Sequence, residues 1–303
     1  MSTQATNLQE RIASGKTILL AEIHPPRGAD PAPLRAAAKR YAGKVHAVGV
    51  SDNRDRVAMS ALAAASLLKA EGLEPILHVT TRDRNRIALV SEALGAQALG
   101  IRNLLCTSGT HQTLGSYRAA RNVYDIDAVQ LLQTYDHLAS DGGLVGESGL
   151  EGAGPFCLGA VASPDADPSA LQLLRLAKKT RAGARFLVTQ PVYDLERFEA
   201  WWQEVTRRGL HEQAAILAGI QPLSDACLAQ TGPRPRPRIP DALAGRVASQ
   251  SDPDARRAAA IEIALETIRR VSDLPGMRGF CISADGDHEA ALQIIEMSGL
   301  AGD

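Results

Sequence analysis

Residues 17–26, TILLAEIHPP, decide how the chain is read. The run from Thr17 to Ile23 is apolar without alternation, then turns abruptly polar and is stopped by two prolines. A short continuous apolar run of this kind reads as a strand covered on both faces, the pattern of parallel sheets. Seven more follow: Val45 to Val50, Pro75 to Thr80, Asn103 to Thr107, Phe156 to Ala162, Arg185 to Thr189, Ala214 to Ile220 and Gly279 to Ser283. Between them, apolar residues spaced by three and four predict helices, among them Ala58 to Leu68, Arg86 to Leu94, Ala128 to Leu138, Ser169 to Thr180, Leu195 to Val205 and Arg256 to Val271. Eight strand-helix units in 303 residues predict an α/β chain folded as a single-domain (β/α)8 barrel over residues 1–303. A polar segment, 1–14, precedes the barrel. Two punctuated stretches, the Gly-rich 141–154 and the Pro/Arg-rich 231–240, read as loops.

Composition narrows the function. With 45% apolar and 22% charged residues and a net charge of −1, the chain has no electrostatic drive toward nucleic acid or an anionic membrane, so a small-molecule partner is expected. Cys106, Cys157, Cys227 and Cys281 lie too far apart for a zinc motif or a disulfide scaffold and read as buried thiols of a reducing compartment. No apolar leader opens the sequence and no stretch is apolar enough to span a bilayer, so a cytoplasmic protein is expected. Barrel surfaces commonly self-associate, and a homo-oligomer is expected. Neither GxGxxG nor GxxxxGK[ST] follows a strand, which argues against a Rossmann or P-loop phosphate cradle. Arg234, Arg236 and Arg238 read as a solvated loop.

Barrel enzymes place their chemistry at the C-terminal ends of the strands. Those ends carry Glu22 and His24, Ser51-Asp52-Asn53, His78 and Thr80, Thr107 to His111, Ser163, Gln190, Gln221 and Ser283. A carboxylate in the last turn of an apolar strand is partly desolvated, so a raised pKa and general-acid chemistry are expected of Glu22. The alternative is a barrel-mouth ion pair with Arg54 or Arg82. Gln190 offers both a donor and an acceptor to the amide edge of a heterocycle, or serves as a structural rim amide. His24 and His78 lack a metal triad around them, and no metal is expected.

These residues sit in an ordered series of motifs: AEIHPPRG at 21–28, HVTTRDRNRIAL at 78–89, LGIRNLLCTSG at 99–109, VYDIDAVQLL at 123–132, LAKKTRAGARFLVTQPVYD at 176–194 and GIQPL at 219–223. Together they resemble the methylenetetrahydrofolate reductase family over nearly the whole chain, with the RDRNR and VYDID stretches nearest the branch found in acetogens and related carbon-fixing bacteria. The resemblance implies an FAD-dependent enzyme passing hydride from reduced flavin to 5,10-methylenetetrahydrofolate, giving 5-methyltetrahydrofolate, or running in reverse. It implies that Glu22 is the proton donor, that Gln190, Thr110 and Tyr193 meet the folate, and that His78, Thr80, Ser108, Gly109, Tyr124, Asp125, Ser163 and Lys179 hold FAD, Lys179 at the pyrophosphate. It further implies NAD(P)H or a reduced partner protein as electron donor, and an iron–sulfur or zinc partner subunit.

One departure bears on the chemistry. Where the family usually reads Gly-Asp after the fourth strand, this chain reads Gly109-Thr110. A threonine supplies no full charge to stabilise a cationic iminium or tune a flavin, and Asp83 or Asp52 are the candidates to replace it. Gly49 stands where many relatives carry threonine, and Ile282-Ser283-Ala284 replaces a more polar ending of the eighth strand. Three readings stay open: the flavin-dependent reductase, a flavin-independent NAD(P)H-dependent folate reductase, and a folate-binding, non-catalytic subunit of a one-carbon complex.

Overall fold

The computed structural model describes residues 6–54, 56–140, 150, 152–229, 237–283 and 285–302. Arg234, Arg236 and most of the Gly-rich stretch therefore lie outside the described residues. Eight strands, β1 (Ile18–Ile23), β2 (Ala47–Val50), β3 (Pro75–Thr80), β4 (Asn103–Thr107), β5 (Cys157–Ala162), β6 (Phe186–Pro191), β7 (Ala215–Ile220) and β8 (Gly279–Ser283), are all parallel and close into a barrel in sequence order. The helices are α1 (Asn7–Ser14), α2 (Ala32–Tyr41), α3 (Ala61–Ala70), α4 (Arg86–Ala98), α5 (Ala128–Ser140), α6 (Ser169–Arg181), α7 (Leu195–Arg207), α8 (Leu210–Gln213), α9 (Asp225–Ala229), α10 (Asp241–Ala248), α11 (Pro253–Ser272) and α12 (His288–Met297). The architecture is the single-domain (β/α)8 barrel expected from the strand series.

Strand alternation sorts the core into two layers. Leu19, Ala21 and Ile23 of β1, like Val48, Leu77, Leu104 and Ile216, point outward under the helices. Ile18, Leu20, Ala47, Ile76, Leu105, Phe186 and Leu217 point inward and fill the barrel. The interior is packed tightly enough to dictate a glycine: a Cβ on Gly159 would lie 2.2 Å from the Phe186 ring. The four cysteines are buried and free. Among the described residues no helix is long and apolar enough to cross a membrane.

The segment before the first strand closes the lower end. Residues 7–14 form α1, started by a Thr6–Gln9 capping box and ended by Gly15 in the left-handed region. Leu8 is fully buried against the interior layer, with Ile12 packed beside it. Glu74, just ahead of β3, accepts from Asn7 N (2.9 Å), Leu8 N (3.0 Å) and Asn103 Nδ2 (2.8 Å), and Thr6 Oγ1 donates to Asn103 Oδ1 (3.0 Å). A carboxylate at a helix N-terminus is favoured by the free amides and the helix dipole. α1 therefore plugs this end of the barrel interior.

Candidate active site

Two residues beyond Leu20 on the inward face of β1 stands Glu22, paired in register with Gly49 of β2 and Ser283 of β8. Its Oε1 lies 3.6 Å from Arg54 Nη1 and 3.8 Å from His24 Nδ1. The raised pKa expected of this carboxyl is not what the site produces. Burial pushes it up, but the charge of Arg54, joined by His78 and His24, outweighs burial and holds Glu22 below the usual carboxylate range. The other expectation for this carboxylate, an ion pair with Arg54 at the barrel mouth, is the one the loop after β2 delivers.

His78 reaches the same space from β3. A Cβ on Gly49 would lie 2.8 Å from His78 Nε2, so the glycine is the room the imidazole occupies. The departure at position 49 and the histidine at 78 are thus one structural feature. Burial, set against the attraction of Glu22 and Asp52, lowers the pKa of His78 and leaves the ring neutral at neutral pH. Beside Glu22, the Ser283 hydroxyl is buried with no hydrogen-bond partner among the described residues.

Gln190 is positioned by an irregularity that periodicity does not reveal. Pairing of β6 with β7 shifts register between Val188 and Pro191, where Thr189 Oγ1 accepts from Gly219 N (2.9 Å) and Val192 N donates to Gly219 O (2.9 Å). A Cβ on Gly219 would lie 2.4 Å from Thr189 O, so only glycine admits this close approach. Bulges of this kind re-aim side chains at barrel rims. Gln190 is half-buried, and its side-chain amide makes no hydrogen bond among the described residues.

The two carboxylates that could replace the missing aspartate are both occupied. Asp52 accepts from Thr80 N (2.9 Å) and is paired with Arg84, which also grips Glu92. Asp83 takes two hydrogen bonds from Arg82 (both 2.8 Å) and one from Gln112 Nε2 (2.8 Å). Arg82 also donates to Asn53 O (2.9 Å) and Thr110 O (3.1 Å). The RDRNR stretch thus braces the rim, and an arginine neutralises each carboxylate.

On the β4–β6 side, Ser108 Oγ accepts from Ala128 N (3.1 Å) at the start of α5. Gly109 has φ +78° and leaves room for the Thr80 methyl, 2.4 Å from where its Cβ would be. Thr80 itself is buried. Tyr124, at φ +43°, donates to Gly109 O (3.3 Å) and stacks on His111. Asp125 accepts from Arg86 N (2.9 Å) at the head of α4, and Ser163 lies half-buried just past β5. Lys179 leans from α6 to donate to Val161 O (2.6 Å). Burial, with Arg175 adding to it and Asp127 opposing, pushes its pKa down to about 8. Tyr193 sits in a satellite core with Leu223, Cys227, Val247 and Ile263, where burial and a hydrogen bond to Cys227 raise its pKa well above the usual value. Asp285, which sequence reasoning passed over, stands at φ +47° just beyond β8, its Oδ1 3.7 Å from His24 Nε2. The signal was the Asp285-Gly286 turn.

A closed (β/α)8 barrel, plugged below and carrying a half-buried carboxylate, two imidazoles and an amide unengaged among the described residues at its upper rim, is built as barrel enzymes are. The methylenetetrahydrofolate reductase family model matches residues 7–299, and the chain belongs to that family. Over 173 residues, 56% of this chain, it is 25% identical to a probable methylenetetrahydrofolate reductase (NADPH) of Caenorhabditis elegans, and the match spans 24% of that relative's length. Among solved structures, a Clostridium thermocellum protein that binds two copies of 5-methyl-5,6,7,8-tetrahydrofolic acid superposes with a TM-score of 0.63 at 13% identity, covering 96% of this chain and 98% of that one. The Bacillus cereus spore cortex-lytic enzyme SleL superposes with a TM-score of 0.52 at 9% identity, covering 93% of this chain and 74% of that one. Both share the fold.

Proposed function

We propose that this chain is a flavin-dependent methylenetetrahydrofolate reductase, interconverting 5,10-methylenetetrahydrofolate and 5-methyltetrahydrofolate, with NAD(P)H or a reduced partner subunit as electron source. The observation that carries the reading is Glu22, held inside the barrel mouth of a chain of this family beside the Arg54 guanidinium and the His24 imidazole, with no hydrogen bond among the described residues. FAD would supply hydride transfer. The residues present fit it: the half-buried Lys179 ammonium donates to an uncharged carbonyl, a cation suited to a pyrophosphate, and Tyr124, bonded to Gly109 O and stacked on His111, offers an aromatic face for an adenine.

The chain's own part is proton management and orientation. Glu22 in its protonated form would donate to the amine nitrogen that leaves when the folate's five-membered ring opens, and Gln190 would hold the pterin amide edge. In the unliganded protein Arg54 keeps Glu22 ionised. Binding an apolar ring system over the mouth would remove water and move Arg54 off the carboxylate, raising its pKa to the level a general acid needs. With Asp52 and Asp83 neutralised, cation stabilisation would fall to Glu22 itself once it has given up its proton.

The test is anaerobic. Protein saturated with FAD is reduced, mixed with 5,10-methylenetetrahydrofolate and followed by flavin absorbance, with Glu22→Gln in parallel. Reoxidation by wild type that slows by about a hundredfold or more in the variant is the expected result. Turnover with NAD(P)H in the absence of any flavin would instead establish the flavin-independent reading. Folate binding with no turnover would leave the non-catalytic one.

A further inference from the structure

A general acid that gives up a proton at each turnover has to be recharged from water, and the surroundings of Glu22 limit how. Arg54 cannot serve, because a guanidinium does not release its proton at accessible pH. His78 reaches Glu22 from the barrel interior. The remaining neighbour is His24, two residues further along the strand. We infer that His24 is the proton-delivery residue for Glu22, linking it through Asp285 to solvent; the inference rests on the reductase reading above.

The geometry supplies a graded path. Side-chain exposure falls from 42% at Asp285 to 28% at His24 and 16% at Glu22. The imidazole spans the gap, with Nε2 3.7 Å from Asp285 Oδ1 and Nδ1 3.8 Å from Glu22 Oε1. Ser51 Oγ, 2.7 Å from Nδ1, fixes the ring between them. Both outer separations are about 1 Å longer than a hydrogen bond, a gap that catalytic contacts commonly close when ligand binds. The charged and titratable groups facing His24 are Glu22 from β1, Arg54 and Arg56 from the loop after β2, His78 of β3, Asp285 beyond β8 and His288 of α12. Burial and the two arginines disfavour the imidazolium, the two carboxylates favour it, and the balance lies toward the neutral ring, which can take up a proton and pass it on. The proton count closes: Glu22 loses one proton to the substrate nitrogen, His24 returns one, and water supplies one to His24 through Asp285. The reverse reaction runs the same path outward.

Three variants test it on the FAD-loaded protein with methylenetetrahydrofolate and the donor that sustains wild-type turnover. His24→Gln keeps a hydrogen-bonding group for Ser51 but cannot carry the proton. Its kcat should fall about tenfold or more, with KM for the folate within twofold and the pH profile of kcat altered. His24→Ala should fall similarly and recover several-fold in tens of millimolar imidazole, which a merely structural role would not produce. Asp285→Asn, tolerated at a left-handed φ, should lower kcat a few-fold. An unchanged kcat and pH profile in His24→Gln, or a loss in His24→Ala that imidazole does not relieve, would overturn the relay and leave the reductase standing. A wild-type protein that does not turn over methylenetetrahydrofolate would sink both.

Discussion

Each end of the barrel holds a glutamate, and the two are set in opposite ways. Glu74, below, accepts three hydrogen bonds from α1 and β4 and ties the plug to the barrel. Glu22, above, accepts none among the described residues and faces the Arg54 guanidinium at 3.6 Å and the His24 imidazole at 3.8 Å. The same contrast extends to neighbours. Asn103 at the lower end has both its amide atoms engaged, whereas Ser283 at the upper end has a buried hydroxyl with no partner among the described residues. Buried polar groups are ordinarily satisfied, so the open Glu22 carboxylate and Ser283 hydroxyl, side by side in register, mark a mouth shaped for something else to complete.

The largest expected effect separates the two glutamates directly. Glu22→Gln should cost at least about a hundredfold in kcat and little in stability. Glu74→Ala should do the reverse, leaving Asn7 N, Leu8 N and Asn103 without their acceptor and costing about 2–3 kcal/mol in urea unfolding with kcat retained. If Glu74→Ala abolished turnover in protein still folded at the assay temperature, the division of labour between the ends would be wrong.

All of the strand series was legible because its physics is one-dimensional. Strands buried on both faces must be apolar throughout, and three of the eight, β3, β4 and β8, begin and end where the apolar runs do. Glu22 was conspicuous for the same reason, a charge in such a run. Its ionisation state was not, since that depends on Arg54, which arrives from an irregular loop. α1 was hidden because only Leu8 and Ile12 of a polar segment bury themselves, too few to make a stripe. The β6 bulge and the fit of His78 over Gly49 depend on neighbouring strands, which no single stretch of sequence records.

That fit yields the next prediction. Gly49→Thr places a side chain where His78 Nε2 now lies and should cost about 1–3 kcal/mol in thermal unfolding. Adding His78→Ser should recover most of it, a coupling that two independent sites would not show. A Gly49→Thr protein as stable as wild type would mean that the upper interior repacks freely, and the rigidity inferred for the mouth would be lost.

The smallest effect concerns Lys179, and its sign is opposite to the usual one. The ammonium has a folded pKa of about 8 against 10.5 when unfolded, so between these values the unfolded chain holds more protons and stability rises with pH. Below pH 8 the folded protein bears the full cost of the buried charge. Lys179→Met should therefore stabilise the ligand-free protein at pH 7 by about 1 kcal/mol, with the advantage shrinking as pH climbs from 8 toward 10.5. The same change should weaken FAD binding, while wild-type affinity should decline above pH 8 as the ammonium loses its proton. Thermal unfolding across that range, with and without FAD, reads both. A variant less stable than wild type at pH 7 would show that the carbonyl of Val161 satisfies the lysine by itself, and the upper end would then resemble the lower one more closely than its geometry suggests.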